Sequence, residues 1–113
     1  MNKNVINLED FRVREGERIA KVFTGRDRGE QVRIASMIDK IEASYSEVTI
    51  IIPDQVYSIN PSFFEEFLKN VVTKLGRKGF FEKFKIISMG TYKYETPLSE
   101  AIDRILKEKS AIG

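Results

Sequence analysis

The chain has 113 residues, 42% of them apolar and 32% charged, with no cysteine, histidine or tryptophan and a formal charge of +2. That length suits one core-bearing domain spanning the whole chain. The missing thiols and imidazoles exclude zinc fingers, disulfide staples, thiolate nucleophiles and Ser-His-Asp catalysis, so carboxylate, lysine, hydroxyl and backbone chemistry remain, and no metal or cofactor is expected.

The longest apolar stretch, Val48–Ile52 with Thr49 inside it, is far short of the roughly 20 residues that cross a bilayer. Met1-Asn2-Lys3-Asn4-Val5 lacks the apolar core of a secretory signal. A soluble, cytoplasmic protein with no membrane partner is expected.

In chain order, Val5–Val13 mixes apolar and charged residues and is assigned a short strand. Arg18–Thr24, bounded by Gly16 and Gly25, is a stronger strand ending in β-branched and aromatic residues. Between Asp27 and Ala43, Ile34, Ile38 and Ile41 recur at helical spacing. Glu47–Ile52, continuous, β-branched and ended by Pro53, reads as a central strand covered on both faces. Phe63, Phe64, Phe67, Leu68, Val71, Val72 and Leu75 then mark a helix that Gly76 stops. Phe84–Ser88 is another buried strand. Pro97–Lys109 is a last helix, with Thr96 as its cap, Pro97 at its first position and Leu98, Ala101, Ile102, Ile105 and Leu106 inward. Strands alternating with helices imply an α/β fold with a mixed, mainly parallel sheet in the order β-β-α-β-α-β-α, the N-terminal strand forming an antiparallel edge.

Ligands of such sheets bind beyond the carboxyl ends of the strands. Residues 24–29, 54–62 and 89–96 should gather there, with Tyr92, Lys93 and Tyr94 serving either as exposed surface or as packing. Gly25-Arg26-Asp27-Arg28-Gly29 offers two glycines and two arginines at a helix start, a weak anion cradle, although Asp27 with Glu30 also reads as a capping box. Asn60-Pro61 reads as an N-cap with proline at N1, and Ser62 with Glu65 as an alternative box two residues later. Either way the Ser62 hydroxyl lies in the first turn, where a phosphate would meet the helix dipole but also Glu65 and Glu66. Those two carboxylates point about a hundred degrees apart and do not form an acid/base pair, whereas one of them is placed to meet Arg26 across the same edge.

Residues 39–68 are acidic and residues 69–85 basic, so one end of the molecule should be negative and another positive. Lys74, Arg77 and Lys78 collect at a helix C-terminus, where cations offset the dipole, and Phe80, Phe81 and Phe84 read as core rather than as stacking platforms. Nucleic acid is therefore not an expected partner.

The element order and two motifs resemble the STAS-like domains of unknown function of bacteria and archaea. Gly25-Arg26-Asp27-Arg28-Gly29 is similar to their Arg-led helix start, Ser-Arg-Ser-Glu-Ala, and Phe63-Phe64-Glu65-Glu66 is similar to their helix opening, Phe-x-Asp-Glu. The resemblance covers about residues 18–90. It implies a STAS-like fold and a non-enzymatic signalling role like that of anti-sigma factor antagonists, which exchange protein partners when a kinase of the histidine-kinase-like ATPase superfamily phosphorylates a serine. Their Asp-Ser-Ser/Thr-Gly motif corresponds here to Asn60-Pro61-Ser62-Phe63. Proline stands at the phosphorylated position, Ser62 matches the second hydroxyl, and Ser58 lies upstream. The resemblance thus implies a protein-interaction module using Arg26, Asp27, Arg28, Ser58, Asn60, Ser62, Phe63, Glu65 and Glu66, with Ser62 as the candidate phosphosite, a histidine-kinase-like ATPase as the candidate partner and a homo-oligomer compatible with it. The alternative is a ligand-sensing domain that holds a nucleotide or another phosphorylated anion at Arg26, Arg28 and the helix starts.

Overall fold

The computed structural model describes residues 3–16 and 18–112, so the Met1 and Asn2 part of the N-terminal reading lies outside the described residues, as do Glu17 and Gly113. In chain order the elements are β1 (Val5–Asn7), a 3-10 turn (Leu8–Phe11), β2 (Arg14–Glu15), β3 (Arg18–Ile19), β4 (Val22–Phe23), α1 (Arg26–Ser36), α2 (Ile38–Ser44), β5 (Val48–Ile52), β6 (Ser58–Ile59), α3 (Pro61–Phe67), α4 (Lys69–Lys83), β7 (Phe84–Ser88) and α5 (Glu95–Ile112). The α/β class holds. A three-stranded sheet runs in the order β1-β5-β7 with both pairs parallel.

Two strand assignments are corrected. The N-terminal strand is a parallel edge, with Val5 opposite Thr49, because α1 and α2 intervene before β5 and return the chain to the same end of the sheet. The segment 18–24 stays out of that sheet. β3 pairs antiparallel with β2, and β4 pairs parallel with β6. Between them Ala20 N–H donates to Val13 O at 2.8 Å and Lys21 O accepts from Tyr57 N–H at 2.7 Å, so the backbone changes partners within two residues and cannot remain one strand.

β5 is closed on one face only. Val48, Ile50 and Ile52 are buried, while Thr49 and Ile51 are half-buried and lie beside the exposed Lys85 and Ile87 of β7. The β-branched run satisfies a central strand without needing cover on both sides, because its alternate residues meet the helix layer.

The helices divide where single residues leave helical geometry. Met37, in the left-handed region (φ 58, ψ 33), separates α1 from α2. The turn rotates the apolar stripe, so Val32 and Ile38 are buried but Ile34 is 66% exposed rather than inward. Leu68 (φ −99, ψ 2) separates α3 from α4. Gly76 interrupts α4 at φ 74, ψ 176, a conformation that essentially only glycine adopts, yet the chain resumes helical turns through Lys83 instead of stopping. α5 begins at Glu95, and Leu98 N–H donates to Tyr94 O at 3.0 Å, so Thr96 does not cap it. Pro97 lies in the first turn, where its missing N–H is not needed.

One contiguous cluster of buried side chains forms the core. At its centre the Phe63 ring meets Phe23 at 5.2 Å and Phe67 at 5.7 Å. Phe80 stacks on Phe84 at 4.7 Å, but Phe81, one residue round the helix, is 48% exposed and does not join the core.

The charge asymmetry along the chain does not become two poles, because the acidic and basic segments pack against each other. Glu42 of α2 is buried and accepts from Lys74 Nζ at 2.8 Å and Lys83 Nζ at 2.7 Å, both on α4. Asn70 Nδ2 donates to Asp39 Oδ2 at 2.8 Å, and Lys85 pairs with Glu47. Burial pushes the Glu42 carboxyl up, but the hydrogen bonds and charges of Lys74 and Lys83 outweigh it and hold the group below the ordinary carboxylate range.

Gly29 sits in α1 directly against α3. A Cβ there would overlap the Phe63 carbonyl oxygen and approach Glu66 Cβ to 3.0 Å. Gly29→Ala is expected to destabilise by about 1–3 kcal/mol in urea melts, because forcing the helices apart outweighs the gain of up to about 1 kcal/mol in helix propensity. Glu42→Gln should cost about 1–3 kcal/mol near neutral pH, less than a fully buried pair because Lys74 is exposed. A carboxyl depressed on folding contributes stability that is fully present above its unfolded pKa and lost as pH falls through the folded value. The gap between wild type and Glu42→Gln, followed by pH-dependent melts, should therefore begin to narrow as pH falls below the ordinary glutamate value of about 4.3 and close as it falls through the depressed one.

Candidate functional site

The expected edge assembles. Beyond the carboxyl ends of β1, β5 and β7, the connecting segments lock onto one another through the backbone. Met89 N–H donates to Ile52 O at 2.8 Å, and Asn60 N–H donates to Phe23 O at 2.9 Å. The Tyr92 hydroxyl accepts from Ile59 N–H at 3.0 Å and donates to Ile59 O at 3.2 Å. Tyr92 and Tyr94 are half-buried and bonded to backbone, so of the two roles open to them they take the packing one. Burial, with Glu95 nearby, raises the Tyr94 phenol above its ordinary pKa.

Arg12, which shows no sign in the sequence, closes this edge from the other side. Its side chain is 4% exposed. Nε donates to Ala20 O at 3.2 Å, Nη1 to Glu9 Oε2 at 2.8 Å and Nη2 to Gln55 O at 2.8 Å. The backbone carbonyls of Ala20 and Gln55 and the side chain of Glu9 are thereby tied to one guanidinium. Gln55 takes φ 59, and its N–H donates to Asp54 Oδ1 at 2.8 Å. A shallow recess of about 250 Å³ remains between Glu9, Arg12, Pro53, Asp54 and Gln55.

The α3 start resolves its two capping alternatives. Asn60 is the N-cap, its Oδ1 accepting from Ser62 N–H at 2.9 Å and from Ser62 Oγ at 2.8 Å, with Pro61 at N1. Ser62 is half-buried, whereas Ser58 and Asn60 are exposed. Phe63 is 0% exposed and belongs to the core, so it offers no surface to a partner. The exposed large side chains here are Tyr57 at 68%, Met89 at 63% and Val22 at 46%. Lys21 Nζ lies 5.0 Å from the Tyr57 ring centroid, a cation–π contact that orders both.

The two arginines of the expected cradle diverge. Arg28 donates to Phe11 O and, through Nη1, to Gln31 Oε1 at 3.0 Å, and so staples the 3-10 turn to α1. Gly25 is the N-cap at φ 90 with no side-chain capping bond, so Asp27 and Glu30 form no capping box, and Asp27 is exposed in the first turn. Arg26 instead reaches the second turn of α3, where its Nη1 lies 3.2 Å from Glu65 Oε1. Glu66 turns away to Arg33, whose Nη1 donates to Glu66 O at 2.7 Å and to Oε2 at 3.3 Å. Arg26 and Glu65 share an open cleft of about 410 Å³ with Arg104, Lys107 and Glu108 of α5. Those three residues stand at i, i+3 and i+4 on one helix face. In sequence that pattern cannot be told from an ordinary solvated face.

Tyr92→Phe should cost about 1–3 kcal/mol, since it leaves both backbone groups of Ile59 without their partner. Amide exchange should accelerate at residues 57–60 more than in β5, a contrast that a merely global loss of stability would not produce. Comparison of the chain with protein-family models, with curated proteins and with solved structures returns no match.

Proposed function

We propose that this chain is a non-enzymatic, STAS-like regulatory module that binds a protein partner through the edge formed by Val22, Tyr57, Ser58, Asn60 and Ser62, with a histidine-kinase-like ATPase as the partner class. The observation that carries this reading is a largely exposed aromatic held on an ordered backbone. Tyr57 stands out to solvent although its own N–H is bonded to Lys21 O and the following residues are pinned by Phe23 and Tyr92. Aromatic side chains presented without an ordering cost are the usual anchors of protein interfaces. Val22 lies opposite Ser58 in the β4–β6 pair and extends the same surface. Exposed hydroxyl and amide groups at Ser58 and Asn60 supply a polar rim.

Ser62 supports the regulatory part of the reading in a specific way. Its hydroxyl donates to the capping Asn60 side chain. A phosphate on that oxygen removes this donor and sets negative charge in the first turn of α3, so modification would change the edge at its cap. The nucleotide alternative loses one of its two arginines, because Arg28 is committed to Phe11 and Gln31.

Tagged wild-type protein, used as bait in a lysate of its source organism, is expected to capture an ATPase of the histidine-kinase-like class. Tyr57→Ala should weaken the purified pair by about thirty-fold, equivalent to about 2 kcal/mol, at unchanged melting temperature. Lys107→Ala, away from this edge, serves as the control. Equal binding by wild type and Tyr57→Ala would remove this edge as the interface.

A further inference from the structure

The carboxylate of Glu65 is the least satisfied polar group among the described residues. Its side chain is only 5% exposed. Oε1 is paired with Arg26, but Oε2 is buried with no hydrogen-bond partner, and the nearest cation, Arg104 Nη1, stands at 3.9 Å. A buried carboxylate oxygen without a donor has lost its water and gained nothing in exchange, which is costly. The contrast with Glu42 is instructive, since there both oxygens are met by ammonium groups at hydrogen-bond distance.

Glu65 lines the open cleft between the start of α1, the second turn of α3 and the later turns of α5. The cations of that cleft engage Glu65 only in part. Arg26 and Arg104 are 56% and 52% exposed, and each reaches the carboxylate through a single nitrogen. Together with Lys107 they outnumber Glu65 and Glu108, which leaves the cleft one positive charge. Its volume, about 410 Å³, falls in the range of small-molecule sites.

We infer that this cleft binds a small amino acid of net negative charge, with the ammonium group donating to Glu65 Oε2 and the carboxylates held by Arg26, Arg104 and Lys107. The chemistry is selective in both directions. A simple dicarboxylate offers no donor to the orphan oxygen and meets Glu65 as a like charge, while a simple amine meets three cations. An amino dicarboxylate satisfies the buried acceptor and neutralises the excess charge together. Planar guanidinium groups suit carboxylates, which they engage through paired N–H donors. This site is separate from the partner-binding edge and does not depend on it.

The test is a titration of 15N-labelled full-length protein with glutamate, glutarate, inorganic phosphate and a glutamate-containing tripeptide blocked at both ends, each to about 10 mM, followed by amide shifts. Glutamate is expected to shift residues around 26, 65 and 104–108 saturably, with glutarate and phosphate weaker by about ten-fold or more. Arg104→Ala, a half-exposed residue whose loss the fold should tolerate, should weaken glutamate by about ten-fold. Glu65→Gln should abolish the preference for glutamate over glutarate rather than all binding, a readout that loss of a structural ion pair would not move. Absence of saturable shifts with every probe, or equal affinity for glutamate, glutarate and phosphate, would overturn the assignment. Tighter binding of the blocked tripeptide than of free glutamate would overturn it too, since the peptide lacks the ammonium group.

Discussion

The close approach of α1 to α3 governs this end of the molecule. Gly29 has no side chain, so the Phe63 carbonyl and the Glu66 stem lie against the α1 backbone. That contact sets the separation at which Arg26 reaches Glu65 and Arg33 reaches Glu66. It also lets Phe63 enter the core beside Phe23, which in turn holds β4 against β6. A larger residue at position 29 would act on the core, the ion pairs and the loop edge together, because all three are fastened to the same helix pair.

Two buried glutamates show how similar residues come to differ. Glu42 faces a helix that presents Lys74 and Lys83 on one side, and its charge is fully matched. Glu65 lies where three helices meet, and the side chains that reach it come from half-exposed positions and stop short of one oxygen. The first arrangement joins α2 to α4. The second leaves an acceptor without a donor on a residue that lines a cleft, a departure from full satisfaction of the kind that calls for an explanation beyond stability.

At the neighbouring edge the stabilising groups are mostly backbone bonds supplemented by two side chains from far along the chain. Arg12 bridges Ala20 and Gln55, and Tyr92 bridges to both polar groups of Ile59. These contacts leave the outward residues Val22 and Tyr57 displayed on a rigid frame, and rigidity lowers the entropy lost when a partner binds. The edge and the cleft share α3 but not their functional side chains, so they can be altered independently.

The α/β class, the central run Val48–Ile52, the Asn60-Pro61 helix start and the meeting of Arg26 with an α3 carboxylate were legible in the sequence by itself, because apolar periodicity and capping chemistry act over a few residues. Positions where the chain changes direction were not. Met37 and Leu68 carry no local signal for leaving a helix, and Gly76 marks an interruption without revealing that the helix resumes. The parallel direction of β1, the exchange of pairing partners between Ile19 and Val22, the neutralisation of the acidic segment by the basic one and the burial of Phe63 away from the surface all follow from which segments face each other. So do the roles of Arg12 and Arg104. Each is an ordinary charged residue until another element, distant in sequence, supplies or withholds its partner, and only the tertiary structure decides that.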